Sequence, residues 1–213
     1  DQDLDPYGIW IAEVMLQQTQ LAVALPYWTR WMVAFPTLEA LAAASLEEVR
    51  LQWQGLGYYS RARRLHEAAQ LLVGHPCPHS LEGWMALPGI GRTTAGSILS
   101  SAFNAPFPIL DGNVKRVLAR LTAHPRPLAR DEALFWGLSE SLLDPVRPRD
   151  TNQALMDLGA TVCTPRSPSC DRCPWQSHCA AYAAGDPCRW PVTDAPKPLP
   201  FQVIGVGVVL NAA

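Results

Sequence analysis

The chain has 213 residues, enough to bury a core in one large unit or two small ones. Hydrophobic residues make up 48% and charged residues 17%, which excludes a disordered polyelectrolyte, and a net charge of −2 supplies no general attraction to nucleic acid. Alanine and leucine abound and alternating apolar runs are nearly absent before residue 200, so an all-α body is expected. No apolar run is long enough to span a bilayer, and no basic and apolar leader opens the sequence. A cytoplasmic protein with no membrane partner is therefore expected.

In chain order, Gly8 to Gln18 carries Ile9, Ile11, Val14, Met15 and Leu16 at helical spacing, with Glu13 among them. Pro26 suits the first turn of a second helix running to Pro36. Thr37 to Ala43 predicts a short helix, and Ser45-Leu-Glu-Glu48 is a capping box in which hydroxyl and carboxylate each take an orphan amide. Gly55-Leu-Gly57 ends that helix, and helices follow over Tyr58 to Val73 and Ser80 to Leu87.

Leu87-Pro-Gly-Ile-Gly91 then leads straight into Arg-Thr-Thr-Ala-Gly. Gly89 and Gly91 around one apolar residue predict a tight hairpin that leaves amides bare at the next helix's positive end. Such a hairpin can cradle a phosphate without reading sequence, although an ordinary helical turn explains the pentapeptide equally well. Asp111 stands where a cap would stand for a helix from Asn113 to Leu121. Asp131 to Leu143 and Thr151 to Thr161 predict the last large helices.

The most specific stretch follows. Cys163, Cys170, Cys173 and Cys179 are separated by six, two and five residues, with Pro165, Pro168 and Pro174 stiffening the loops between them. Four soft thiolates select zinc or an iron–sulfur cluster. The gaps favour the cluster over the shorter, paired spacings of structural zinc, and disulfides do not suit a reducing compartment. Cys77 and Cys188 lie outside the quartet. Arg61, Arg63 and Arg64 form one basic cluster, and Lys115, Arg116, Arg120, Arg126 and Arg130 a second; each is ordinarily a solvated face. Residues 187–200 have the composition of a proline-rich linker, and Phe201 to Leu210 alternates like the first strand of a further domain.

An L-P-G-I-G hairpin, an aspartate some twenty residues on and this cysteine quartet together resemble the endonuclease III superfamily of DNA glycosylases, over about residues 8 to 186. Within it, E-V-M-L-Q-Q-T-Q (13–20), G-L-G-Y-Y-S-R-A-R (55–63), L-D-G-N-V-K-R-V-L-A-R (110–120) and N-Q-A-L-M-D-L-G-A (152–160) resemble the MutY-type adenine DNA glycosylases. The resemblance implies two helical subdomains with the DNA cleft between them. A six-helix barrel with helix–hairpin–helix would occupy about 8–110, and an iron–sulfur subdomain about 111–186. The implied activity is monomeric, and excises adenine opposite 8-oxoguanine, or opposite guanine, in double-stranded DNA. The implied cofactor is a [4Fe-4S] cluster on Cys163, Cys170, Cys173 and Cys179.

Breaking an N-glycosidic bond needs one protonated carboxyl and one carboxylate, as in glycosidases. Burial on an apolar helix would keep Glu13 a proton donor, and by resemblance it serves adenine N7. Asp111 would stabilise the cationic sugar, with Asn113 supporting it. Where lyase relatives place a lysine this chain has Thr93, so a monofunctional enzyme is implied, the alternatives being an endonuclease III-like glycosylase/lyase for oxidised pyrimidines or a non-catalytic DNA-binding module with structural zinc. Gln18 and Tyr58 match wedging positions, and Leu16 and Gln153 match positions lining the adenine pocket. Gly89, Gly91, Lys115, Arg166 and Arg172 are the expected phosphate contacts. The resemblance also implies an N-terminal helix preceding residue 1, and weak binding of the oxidised mispair without the C-terminal domain.

Overall fold

A computed structural model describes residues 5–194. The strand expected at 201–210 and the linker residues 195–200 lie outside the described residues. The first helices are α1 (Pro6–Leu16), α2 (Leu21–Ala34), α3 (Leu38–Ala43), α4 (Leu46–Trp53), α5 (Ser60–Leu72), α6 (Leu81–Met85) and α7 (Arg92–Phe103). They are followed by α8 (Gly112–Leu121), α9 (Glu132–Leu142), α10 (Pro148–Asp157) and α11 (Ala180–Ala183). Among the described residues there is no strand, and no helix is long and apolar enough to cross a membrane.

Local chemistry starts most of these helices. Asp5 accepts from the Tyr7 and Gly8 amides ahead of α1, Thr37 from Ala40, and Ser80 from Gly83. Ser45 and Glu48 form both bonds of the capping box. One expected boundary moves. Pro26 is not in the first turn of α2 but inside it, because the helix already begins at Leu21. The proline removes only one amide from the ladder, and apolar packing along the helix outweighs that loss.

Two hydrophobic cores result. The first is built by α1 to α7 around the fully buried Trp10, Trp31, Trp53 and Trp84. Trp31 meets Trp53 edge-on at 5.7 Å, and burying each such ring stabilises the fold by roughly 3 kcal/mol. The second core holds Ile109, Leu110, Val114, Leu118, Phe135 and Leu155, with Cys163 and Trp175 packed at its edge.

Helix α7 touches both groups. Gly96 on α7 lets the extended strip before α8 press close, since a Cβ there would stand 2.7 Å from the Pro108 carbonyl. Asn152 on α10 donates to Ser100 Oγ at 2.9 Å and to the Phe107 carbonyl at 2.8 Å, tying the second group to the first. Helix α10 does not run evenly to Thr161 as expected; its last turn, Leu158–Val162, widens to a π-helical turn. Residues 187–190 do not behave as a free linker. Pro187–Arg189 form a 3-10 turn and the Trp190 carbonyl accepts from Arg120 at 3.0 Å, so this stretch packs onto α8.

Candidate active site and cluster-binding loop

Helix α1 brings Glu13 against α7, in a register set by the 3.2 Å bond from Gln17 Nε2 to Thr94 Oγ1. One turn back on α1 and one turn on along α7, Glu13 faces Ser97. Burial pushes the Glu13 carboxyl up from its ordinary 4.5 to about 7; the Ser97 hydroxyl pulls the other way and the Asp111 charge adds to the rise. Glu13 is therefore a reservoir for a proton near neutrality. The charge of Asp111 reaches it although the two are far apart in sequence, so the fold brings the two carboxyl groups within electrostatic range of each other.

Asp111 is the N-cap of α8, as expected from the sequence, and is half-buried. Its Oδ1 accepts from the Val114 amide at 2.8 Å and its Oδ2 from Asn113 Nδ2 at 3.1 Å. Asn113 in turn accepts on Oδ1 from Arg116 at 2.8 Å, and Arg116 donates to the Gly159 carbonyl at 2.7 Å and the Cys163 carbonyl at 2.7 Å. A continuous polar chain thus runs from the acid pair to the first cysteine. Thr93 sits at the same place, its hydroxyl 3.3 Å from the Leu110 carbonyl just before Asp111.

Gly159, in the π-helical turn, is what lets Asn113 reach its place. A Cβ at 159 would stand 2.5 Å from Asn113 Cβ and 3.0 Å from its Cα, and backbone cannot yield there. Gly159→Ala is expected to cost about 1–3 kcal/mol of stability by overpacking. It should also slow any glycosylase reaction by tilting Asn113 away from Asp111. Urea unfolding and a single-turnover rate check the two parts; unchanged values in both would refute this account of Gly159.

Other expected site residues are dispersed. Gln18 and Tyr58 both carry left-handed backbone, φ 56° and 46°, and Tyr58 is 63% exposed. Tyr58 is not the start of α5 but stands in the turn before it, an exposed ring on strained backbone. Leu16 ends α1, half-buried. Gln153 is exposed, and its amide donates to Asp157 on its own helix at 2.8 Å rather than to the acid pair. At the hairpin, Gly89 needs its φ of 81° and lies under the Arg64 stem, where a Cβ would meet Arg64 Cβ at 3.0 Å. Gly91 caps α7 without any side-chain bond, which leaves the first amides of that helix bare. Lys115 is paired with Glu132 at 3.0 Å, whereas Arg166 and Arg172 are exposed on the cysteine loop.

Three residues were not singled out from the sequence: Arg61, Arg116 and Arg120. Their clusters were read as solvated faces, yet Arg61 is 8% and Arg120 2% exposed, and both bond mainly to backbone carbonyls. Arg63, Arg126 and Arg130 keep the surface role, pairing with Glu67 at 2.8 Å, Asp131 at 2.6 Å and Asp194 at 2.5 Å.

Cys163, Cys170, Cys173 and Cys179 are free thiols lining one small cavity together with Arg120, Pro168 and Tyr182. Burial pushes the Cys170 thiol up, and its three fellow cysteines push it further, so the four sulfurs are mutual neighbours. Arg120 Nη1 lies 3.3 Å from Cys163 Sγ and donates to the Thr164 carbonyl at 2.7 Å, while Nη2 donates to the Pro165 carbonyl at 2.8 Å. Among the described residues, no three Cys, His, Asp or Glu side chains close tightly enough to hold one ion. Four soft thiolates around one cavity suit an iron–sulfur cluster.

Comparison with known proteins defines the class. Residues 11–134 match the profile of the HhH-GPD superfamily base excision DNA repair proteins, and residues 163–179 match the iron-sulfur binding domain of endonuclease III. The chain belongs to the HhH-GPD superfamily and carries a [4Fe-4S] cluster, and its four cysteines fall within the matched iron–sulfur binding segment.

Within that class it is 51% identical over 189 residues to the adenine DNA glycosylase of Mus musculus and 51% over 188 residues to that of Homo sapiens, with 85% of this chain covered in each case. The Arabidopsis thaliana adenine DNA glycosylase is 44% identical over 217 residues. The chain spans 36%, 34% and 34% of those three relatives, about a third of their length. Among solved structures, a thermostable thymine-DNA glycosylase superposes with TM-score 0.78 at 28% identity, covering 84% of this chain and 85% of the other. A non-covalent endonuclease III–DNA complex, 24% identical with TM-score 0.73 over 85% of this chain and 86% of that one, shares the fold.

Proposed function

We propose that this chain is the catalytic part of a monofunctional adenine DNA glycosylase acting on adenine opposite 8-oxoguanine. The observation that carries the reading is the acid pair: a carboxyl titrating at about 7 beside a carboxylate held by two donors. With its proton, Glu13 donates to a ring nitrogen of the extruded adenine, so the electron pair of the breaking C1′–N9 bond leaves on a neutral base. Asp111 stabilises the cationic sugar that remains. Water then bonds to C1′ and gives its proton to the Glu13 carboxylate, which restores the acid. The products are free adenine and an abasic sugar.

The rest of the site supports this sequence of events. Thr93 offers no amine for a Schiff base beside Asp111. The exposed Tyr58 and Gln18 are suited to fill the gap left in the duplex when the base is flipped. The bare amides at Gly91, with the Arg64 stem against Gly89 of the same hairpin, suit a phosphate. The cluster supplies scaffold, and Arg166 and Arg172 stand exposed on its loop to meet the backbone of DNA.

The test is a single-turnover excision assay on duplexes with adenine opposite 8-oxoguanine and opposite guanine, with Glu13→Gln and Asp111→Asn alongside. Each substitution is expected to lower the rate by about a hundredfold or more, since each removes a group acting in the transition state. Borohydride should trap no covalent complex. A variant that retained the wild-type rate, or trapping through a lysine, would overturn the assignment.

A further inference from the structure

Arg61, near the start of α5, is buried at 8% exposure, and the acid pair makes no use of it. Its Nη1 donates to the carbonyls of Val14 and Met15 at 3.0 Å each and of Gln17 at 2.6 Å. Its Nη2 reaches Thr19 Oγ1 and the carbonyls of Leu56 and Gly57, each at 3.4 Å. The guanidinium also lies 5.2 Å from the Trp53 ring and 5.5 Å from the Tyr58 ring.

These partners belong to two separate turns. Val14, Met15 and Gln17 are the last carbonyls of the helix that carries Glu13, which has no basic residue of its own in its last turn. Leu56 and Gly57 form the turn that launches Tyr58. Gln18 lies between two Arg61 partners, and Tyr58 directly follows another; both are non-glycine residues in left-handed backbone. Such conformations persist only where surrounding bonds over-determine them, and one guanidinium supplies those bonds on both sides.

We infer that Arg61 is a positioning residue that locks the Gln18 and Tyr58 turns to the end of the acid-bearing helix, so that insertion into the duplex and placement of Glu13 occur as one event. The inference rests on the adenine glycosylase reading. An ammonium cannot serve both turns at once, because it lacks the planar fork that spans them. Without the fork, wedge insertion no longer orients Glu13.

The experiment compares wild type, Arg61→Lys, Tyr58→Ala and the double variant. Single-turnover excision is measured opposite 8-oxoguanine and opposite guanine, with rates normalised to active sites by burst titration. Arg61→Lys is expected to slow excision opposite 8-oxoguanine by about tenfold or more and to shrink the ratio of the two rates. In the Tyr58→Ala background the lysine should not shrink that ratio further. A merely structural role would lower the active fraction and leave the normalised ratio intact, and that result would overturn the inference, as would full additivity in the double variant.

Hydrogen exchange on the wild-type protein provides a measurement that needs neither variant nor excision. On binding a duplex with an abasic-site analogue, amides of 15–19 and 56–60 should gain protection together. Protection of one segment alone would refute the coupling. Absence of adenine excision by the wild type would instead defeat the function reading.

Discussion

Glu13→Gln is expected to abolish excision while stabilising the protein above neutral pH. The folded Glu13 titrates at about 7 against an ordinary 4.5, because burial disfavours its charge. Between those values the folded protein holds a proton that the unfolded chain has released, so stability falls as pH rises through the window. The contribution is fully present below about 4.5 and lost once pH passes about 7. The shift corresponds to roughly 3 kcal/mol at most. Glutamine keeps the shape, carries no charge and escapes this loss. Denaturant unfolding of both proteins at pH 5 and pH 8 should therefore show curves that nearly coincide at the lower pH, with the variant ahead by up to roughly 3 kcal/mol at the higher. Equal pH dependence for the two would show that Glu13 is not held protonated by its site. The same burial that makes Glu13 a proton donor makes it a liability to the fold, a trade expected of active sites.

Arg120→Met is expected to be the most damaging change outside the acid pair. Met keeps the apolar stem of the arginine but lacks the guanidinium, which leaves the carbonyls of Thr164, Pro165 and Trp190 without this donor and Cys163 with Arg116 alone. Hydrogen bonds to a charged group contribute about 1.5–3 kcal/mol each and are not additive, so a loss of about 3 kcal/mol or more is anticipated. Because these bonds shape the loop carrying Cys163, the cluster should also be retained poorly. Unfolding midpoints and iron per protein check both parts, with Arg172→Met as the control. Arg172 is exposed on the same loop, and its loss should stay within about 0.5 kcal/mol. Wild-type stability and iron content in Arg120→Met would sink this assignment.

The features legible in the sequence are those whose causes lie within a few residues. The Ser45–Glu48 capping box, the Gly89 turn, the Asp111 cap and the cysteine spacing depend on neighbours along the chain, and all four are where the sequence puts them. The roles of Arg61, Arg116 and Arg120 were not legible, and the reason is physical. Their acceptors are mainly backbone carbonyls, which every residue carries alike, so little in the sequence marks them. A run of arginines then looks like a solvated face until the carbonyls converge on it. Gly159 was hidden for a related reason, since the crowding that demands it comes from Asn113 on another helix.

By itself, then, the sequence determined an all-helical chain, the cluster's four ligands and the two carboxyl groups suited to glycosidic chemistry. The helices and the cysteine set follow from periodicity, spacing and residue type, and the two carboxyl groups from the resemblance. The tertiary structure alone decided that Glu13 titrates near 7, because that depends on desolvation between α1 and α7 and on a charge nearly a hundred residues away. It alone decided that one buried guanidinium bonds the carbonyls of Gln17 and Gly57, next to Gln18 and Tyr58, and that a polar chain joins Asp111 to Cys163. Burial and convergence belong to the packed chain, and local composition carries no record of them.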